Sequence, residues 1–312
     1  MLEPPRVDGL DEHLEERYGV EVAAVVPLDL GVFRVDRQDG SRWVARVFAA
    51  ERPLTGVQED AAILRGLERA GFPAERCADP EPVSEFLGQG VLVTDFLEDH
   101  GPLRPGRSAA ILGAMLGGLH AHPATNLRSG GAWHHLSFDG GPREEIAAAA
   151  ELLDDHLGQV GVRELPLFDR LRDEVERIDD CHDLPHAFVH PDFVPANAIP
   201  TAEEKLAIVD WTGAGRGPRL WSLGFLLWAA GARNMNLVDL VVSRYRRRIE
   251  LEPAELGRLE DAIRGRPVTL EIWSVCAGRR ELADAVESVD RAGELAKSIA
   301  VVARRAFDKR TS

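Results

Sequence analysis

Apolar and polar positions over the first hundred residues follow a pattern that predicts a small β-rich lobe. The runs GVFRVD and RWVARVF are strand-like, and the Asp39-Gly40 pair between them is a strong hairpin turn signal. A helix follows, because the apolar residues of AAILRGL recur at helical spacing, and the glycine and proline of GFP end it. The run GVLVTDFLEDHGP then starts as a buried strand and turns polar. We therefore place an N-terminal lobe at residues 1–96.

The rest of the chain, residues 97–312, has mostly helical spacing and predicts a larger helical lobe. Its clear β signal is limited to FVHPDFVPANAI and the following LAIV, two short runs that the turn PTAEEK separates. Together the two parts predict an α+β protein with a small β-rich N-terminal lobe and a larger helical C-terminal lobe. The helical patterns cover residues 108–120, 143–158, 166–180, 220–231, 237–249, 253–264 and 267–308.

Composition and charge narrow the classes of partner. The 312 residues are 45% apolar and 29% charged, as in ordinary globular proteins, and the net charge of −15 argues against nucleic acid as a partner. Leu220 to Ala232 is too short for the ~20 residues of a membrane span. The three cysteines are far apart, and the charged start of the sequence shows no secretory signal. These features predict a cytoplasmic protein with reduced thiols and without a membrane partner.

Polar residues flank the short hairpin of the second half. Asn197 precedes its first strand and Asp210 follows its second. An antiparallel pairing would make the two residues neighbours, because opposite residues in such a hairpin lie roughly 5 Å apart. Asp192 lies a few residues upstream. Amide and carboxylate oxygens that converge on one point are hard ligands suited to Mg²⁺. The hairpin therefore predicts a magnesium site with an additional carboxylate beside it.

The spacing of these residues is specific. His190, Asp192 and Asn197 fit H-x-D-x-x-x-x-N, and a strand, a turn, a strand and Asp210 follow, which is the order found in kinase-type phosphoryl transfer. Here the chain resembles the aminoglycoside phosphotransferase/choline kinase-like family, whose loop usually reads H-G-D-x-x-x-x-N with a later D-W. The segment LGAMLGGLHAHP is also similar to that family. The likeness covers most of the chain, from about Pro27 to about Trp228, and implies a bilobal protein-kinase-like fold.

The resemblance implies a role for each polar residue of the loop. Asp192 would hold the hydroxyl of a small substrate and accept its proton. Asn197 and Asp210 would carry Mg²⁺, which bridges the phosphates of ATP or GTP. His190, the other catalytic candidate, begins the motif behind the acid, so we expect it to organise the loop and not to act as the base.

The resemblance also implies that the N-terminal lobe holds the nucleotide. Arg46 stands where the family's phosphate-binding strand carries a lysine, and an arginine can contact phosphate as a bidentate fork. We expect Asp60 on the next helix to be its acidic partner, with Glu59 as the second choice. Backbone groups of Asp95 and Leu97 map onto the family's contacts with the adenine.

One position departs from the family. Where the family commonly has P-x-x-D-L-A, this chain has PRLWSLG, so Ser222 replaces the Asp that normally braces the catalytic loop. Ser222 and Arg46 keep open an alternative, namely a degenerate kinase fold that binds nucleotide or a partner without catalysis. A third interpretation makes His190, Asp192 and Asp210 a metal-hydrolase site, but no further His or carboxylate motif supplies the remaining ligands.

The acceptor class is predicted from charge. Residues 139–180 contain thirteen Asp and Glu against five Arg, a net charge of −8, and in the family this part of the helical lobe borders the acceptor pocket. An acidic wall concentrates cations. The expected substrate is a hydroxyl-bearing small molecule, aminoglycoside-like or otherwise cationic. Antibiotic resistance and the metabolism of sugars, amino alcohols or amino acids are the possible settings.

Overall fold

The computed structural model describes residues 7–122, 127–201 and 205–309. The chain forms two compact units. The first contains Met1–Gly101 together with Ile199–Trp211, and the second contains Pro102–Ala198 together with Thr212–Ser312. The first unit therefore also takes in a later hairpin segment that lies well beyond residue 96 in the sequence.

The first unit is built on a five-stranded antiparallel sheet in the order β1-β2-β3-β5-β4. Strands β7 and β8 pair separately as a two-stranded ribbon; the predicted turn between them includes residues 202–204, which lie outside the described residues. The elements are α1 (Leu10–Tyr18), β1 (Val22–Asp29), β2 (Val32–Arg37), β3 (Arg42–Val47), α2 (Leu54–Arg69), β4 (Val83–Phe86), β5 (Gln89–Asp95), β7 (Ala198–Thr201) and β8 (Lys205–Ile208).

The predicted hairpin of β2 and β3 is confirmed. Val35 lies opposite Trp43, and Gly40 in the turn has a φ of 83°, a left-handed conformation that glycine adopts without a steric cost. The alternating inward residues of these strands are buried, as a half-buried sheet requires. Arg46 lies in the central strand β3, opposite Val32 on one side and Leu92 on the other.

Strand β8 is held by the segment that follows α2. Ile208 donates its N–H to Pro73 at 2.9 Å, and Glu75 donates its N–H to the Ile208 carbonyl at 3.0 Å. Trp211, which is 1% exposed, packs edge-on against Phe72 with ring centroids 5.6 Å apart. These contacts fix the chain on both sides of Asp210.

The second unit is mostly helical. A second two-stranded sheet pairs β6 with β9 in antiparallel fashion, with Val189 opposite Gly215. The elements, with β7 and β8 already given, are α3 (Pro105–Ala121), α4 (Pro142–His156), α5 (Leu165–Glu176), β6 (His186–Val189), β9 (Gly215–Pro218), α6 (Arg219–Arg233), α7 (Asn236–Tyr245), α8 (Pro253–Gly257), α9 (Leu259–Cys276) and α10 (Leu282–Asp308).

The α+β class is confirmed, but two local predictions for this unit are wrong. The helix boundary predicted between residues 264 and 267 is absent, since Pro267 lies inside α9; the break comes later, where Gly278 has a φ of 66°. Strand β9 was not expected because its sequence, GRGP, has no apolar alternation. Within the described residues, no helix combines the length and apolar character that a membrane crossing requires.

Candidate active site

The predicted catalytic loop, residues 190–197, begins in the second unit where β6 ends. Val189 closes the strand, and His190, the next residue, is fully buried. The Nδ1 atom of His190 accepts a hydrogen bond from the backbone N–H of Asp192 at 2.9 Å, and its ring lies edge-on to Phe193. A buried histidine that bonds to the backbone two residues ahead shapes the loop.

Asp192 and Asn197 are brought together in this unit. The Nδ2 of Asn197 donates to the Asp192 Oδ2 at 2.9 Å and to the Asp192 carbonyl at 3.0 Å. A short 3-10 turn, Pro195–Asn197, returns the chain so that the amide reaches the acid. Because Nδ2 makes both bonds, the Oδ1 of Asn197 is the atom of the amide that can serve a cation.

Ser222 holds the predicted catalytic loop from the position where the family commonly has an Asp. Its hydroxyl donates to the carbonyl of His190 at 2.9 Å, and the side chain is 2% exposed. The brace is thus present with a neutral hydroxyl in place of a carboxylate. The sequence could not show this, because the two residues are 32 positions apart.

The segment after the D-W motif must approach other backbone closely. Gly213 has a φ of 79°, and a Cβ there would lie 2.6 Å from the carbonyl oxygen of Ala132. Gly217 would place a Cβ 2.3 Å from the carbonyl oxygen of Gly130. The glycines in this segment therefore allow β9 and residues 130–132 to pack beside the catalytic loop within the second unit.

In the first unit, Arg46 pairs with Asp210. The Nη1 of Arg46 lies 3.1 Å from the Asp210 Oδ1, and both side chains are 18% exposed. Asp210 has a φ of 64°, in the left-handed region that non-glycine residues seldom adopt. Such backbone strain persists where the surroundings enforce it, and it clusters at functional positions.

Glu75 holds Asp210 in position, although no motif in the sequence predicts this role. Its Oε1 accepts the N–H of Asp210 at 2.8 Å, and its Oε2 accepts the Thr94 hydroxyl at 3.1 Å. Burial raises the pKa of Glu75, while the charge of Arg46 acts in the opposite direction. The residue lies in AGFPAERC, beyond the end of α2, where no periodic pattern singles it out.

The expected pairing of Arg46 with Asp60 is wrong. Asp60 lies on α2 as predicted, but it faces Arg52, with Nη2 and Oδ2 2.6 Å apart and both side chains 1% exposed. Among the described residues, Arg46 makes its ion pair with Asp210 instead. The helical phase of Asp60 correctly indicated an inward side chain, but it could not indicate which arginine meets it.

The two residues predicted to contact adenine lie at the end of the sheet. Asp95 is the last residue of β5, and Leu97 is two positions further. The N–H of Asp95 donates to the Arg76 carbonyl at 2.8 Å. The adenine contacts themselves stay a prediction, as does the proximity of Asn197, in the second unit, to Asp210, in the first.

The acidic segment is partly neutralised within the second unit. Glu174 accepts a hydrogen bond from Arg264, Asp179 pairs with Arg258, and Glu145 pairs with Arg266. These three arginines lie beyond residue 180, so the charge counted over residues 139–180 overstates the negative charge that remains. Exposed acids of α4 and α5, such as Glu151 and Asp155, retain part of it.

Comparisons with known proteins address the family and the fold. A family model described as "Phosphotransferase enzyme family" (APH) matches residues 29–259, more than half of the chain. No match was found among curated proteins.

Solved structures extend the likeness over nearly the whole chain. The amicoumacin kinase hAmiN, in complex with AMP-PNP, Ca²⁺ and Ami, has a TM-score of 0.66 at 14% identity, with 93% of this chain and 92% of that chain covered. The choline kinase LicA from Streptococcus pneumoniae has a TM-score of 0.63 at 16% identity, with 93% and 98% covered. An aminoglycoside phosphotransferase from Alicyclobacillus acidocaldarius has a TM-score of 0.61 at 14% identity, with 92% and 93% covered. The predicted protein-kinase-like fold is confirmed.

Proposed function

The chain belongs to the phosphotransferase enzyme family, and on that premise we propose that it moves the γ-phosphoryl group of ATP, or of GTP, to a hydroxyl of a cationic small molecule. Membership of this family indicates phosphoryl transfer to a hydroxyl group. The nucleotide, the metal ion and the class of acceptor are proposed from the residues below.

The arrangement around Asp192 is the observation that carries the proposal. Its N–H is bonded to His190, while its carbonyl and its Oδ2 are both bonded to Asn197. Three bonds on one residue hold its carboxylate in one direction before any substrate arrives. A preorganised carboxylate of this kind can orient a hydroxyl for in-line attack and accept its proton as the new bond forms.

Arg46 supplies the charge for the nucleotide phosphates in this proposal. Its guanidinium projects from the central strand of the first unit and already meets one anionic group, the carboxylate of Asp210. A planar guanidinium can bind phosphate oxygens through two parallel hydrogen bonds. Glu75 keeps Asp210 in place beside it through the backbone, so the position of the pair does not depend on the side chains alone.

The proposed metal ion is magnesium. The described residues include no group of three or more His, Cys, Asp or Glu side chains that could hold a metal ion, so the proposed set depends on an amide as well as carboxylates. We assign Asn197 Oδ1 and the Asp210 carboxylate as the ligands, both hard oxygens. When bound, Mg²⁺ would offset the charge on the transferred phosphoryl group.

The acceptor is proposed to be cationic because exposed acids of α4 and α5 remain outside the ion pairs described above. Glu151 and Asp155 are exposed on α4, and Glu176 is exposed on α5. Exposed carboxylates raise the local concentration of a polyamine-like or aminoglycoside-like acceptor. Neutral sugars and neutral alcohols would gain nothing from them.

Substitution of Asp192 tests the proposal. In Asp192→Asn, the Asn197 contact is kept in shape but the proton acceptor is lost, so we expect kcat to fall by about 10³-fold, within the range of general-base effects. Nucleotide affinity should change by less than about threefold, because Asp192 holds the acceptor and not the nucleotide. The measurements are ADP release with a panel of aminoglycosides, amino alcohols and neutral sugars, and calorimetry with ATP and Mg²⁺.

The same panel separates catalysis from a degenerate fold. Nucleotide binding that needs no metal, without ADP release on any acceptor, would favour the non-catalytic alternative. Phosphoester hydrolysis without any nucleotide would favour the metal-hydrolase interpretation. Full turnover in Asp192→Asn would remove the role assigned to that residue.

A further inference from the structure

A fully buried ion pair lies inside the second unit, beside the catalytic loop. Arg266 of α9 is 1% exposed and Glu145 of α4 is not exposed at all, with the Arg266 Nη1 2.9 Å from the Glu145 Oε2. The guanidinium also lies near the faces of Trp221 and Phe225. Moving two charges out of water is costly, and apolar residues of similar volume would often serve stability as well. The pair therefore calls for an explanation other than stability.

The free edge of the guanidinium points to backbone carbonyls. The Nη2 of Arg266 donates to the carbonyl of Pro191 at 2.9 Å and to the carbonyl of Gly131 at 3.1 Å. Pro191 stands between His190 and Asp192 in the catalytic loop. A charged donor makes a stronger hydrogen bond than a neutral one, and a rigid fork can reach an acid and two carbonyls at once.

Glu145 fixes the guanidinium and the chain next to it. Its Oε2 accepts the N–H of Trp133 at 2.8 Å, and its Oε1 accepts the Thr269 hydroxyl at 2.6 Å. Burial raises the pKa of Glu145, whereas Arg266 and these hydrogen bonds lower it. Both oxygens of the acid are thus occupied, and the arginine has one position in which its charge is met.

The contact with Pro191 matters because of the peptide unit to which that carbonyl belongs. The Pro191 carbonyl and the Asp192 N–H lie on the same planar peptide. Arg266 holds the carbonyl, and the His190 ring holds the N–H. A peptide plane that is bonded at both ends cannot rotate, so the direction in which the Asp192 side chain leaves the backbone is fixed.

We propose that Arg266, charge-balanced by Glu145, is a positioning residue that orients the peptide of Asp192 for phosphoryl transfer. It works with Ser222, which holds the preceding carbonyl, that of His190. Two successive carbonyls of the loop are therefore braced from two helices, α6 and α9. The inference rests on the proposed function, since Asp192 is taken as the residue that orients the hydroxyl.

The test replaces the pair with neutral side chains of similar size. Arg266→Met alone would leave Glu145 buried and uncompensated, and it could fail to fold for that reason. The double variant Arg266→Met/Glu145→Gln removes both charges. We expect its kcat to fall by about 10²-fold, as for other losses of orientation, with KM for both substrates within about threefold. Arg266→Lys should recover only part of kcat, because an ammonium lacks the fork.

A second pair, with a fully buried carboxylate and an arginine side chain that is 15% exposed, provides the control. Arg219 and Glu255 form two hydrogen bonds, of 2.7 and 2.6 Å, and Glu255 is fully buried, but the described contacts of this pair include none with residues 190–192. Arg219→Met/Glu255→Gln should lower the melting temperature to a similar extent or more. Its kcat, measured below that temperature, should stay within twofold of that of the unmodified protein.

Hydrogen–deuterium exchange provides a readout that needs no turnover. Loss of Arg266 should speed exchange of the Asp192 amide by about tenfold or more, whereas the control variant should leave it unchanged. A folded Arg266→Met/Glu145→Gln protein with wild-type exchange at this amide and wild-type kcat would overturn the inference. If the unmodified chain phosphorylates no acceptor, the proposed function fails, and the exchange experiment alone still decides whether Arg266 positions the loop.

Discussion

Arg46 occupies the position at which the family's phosphate-binding strand carries a lysine. Its side chain is 18% exposed, and its guanidinium lies 3.1 Å from the Asp210 carboxylate. We predict that Arg46→Met raises the Kd for ATP by about 10- to 100-fold, the value of one or two charge-assisted hydrogen bonds. The Kd of Arg46→Lys for ATP should lie between those of the unmodified protein and Arg46→Met, because lysine keeps the charge but lacks the planar guanidinium. Calorimetry with ATP and Mg²⁺ measures both.

Asp60 provides the contrast at the same scale. Because its pair with Arg52 is buried on both sides, Asp60→Asn should destabilise the fold by about 3 kcal/mol or more, as breakage of buried pairs does. Urea denaturation measures that loss. An Asp60→Asn protein with unchanged stability and strongly weakened ATP binding would contradict the assignment of Asp60 to a stabilising pair and would place it at the nucleotide site instead. At this scale, the sequence indicated that the acids and arginines were present but not how they pair.

At the scale of elements, the packing of α3 against α7 depends on glycine. A Cβ at Gly113 would lie 2.3 Å from the carbonyl oxygen of Val241, a backbone atom that cannot swing away. Gly118 on the same helix has no atom within 4 Å of that position. We predict that Gly113→Ala destabilises the protein by about 1–3 kcal/mol through overpacking, and that Gly118→Ala stabilises it by about 0.5–1 kcal/mol. Urea denaturation of the two variants is the measurement, and equal stabilities would contradict the close approach.

Elements were predictable where one local rule acts alone. The β2–β3 hairpin follows from its Asp-Gly turn, and α2 follows from its apolar spacing. The ranges 253–264 and 267–308 put a helix boundary at residues 265–266, whereas α9 continues through this position with Pro267 inside it. Strand β9 exists because it pairs with β6, and its own sequence gives no such signal.

At the scale of the whole molecule, the net charge of −15 bears on the acceptor. If a cationic acceptor is drawn by long-range attraction, added salt screens it over a Debye length of about 10 Å at 0.1 M. We predict that its KM rises several-fold between 50 mM and 300 mM NaCl, while the KM of a neutral acceptor stays constant. Steady-state kinetics with one acceptor of each kind measures this. An equal response of both would argue against electrostatic recognition.

By itself, the sequence determined the family, the α+β class and the polar residues of the loop. These follow from motifs that span a few positions, such as the eight residues from His190 to Asn197, where chain geometry leaves little freedom. Only the tertiary structure decided the partners of those residues. Glu75 reaches Asp210 across 135 positions, and Arg266 reaches Pro191 across 75. Spacing along the chain carries no information about contacts at such separations, because they arise from packing of elements that each satisfy their own local pattern.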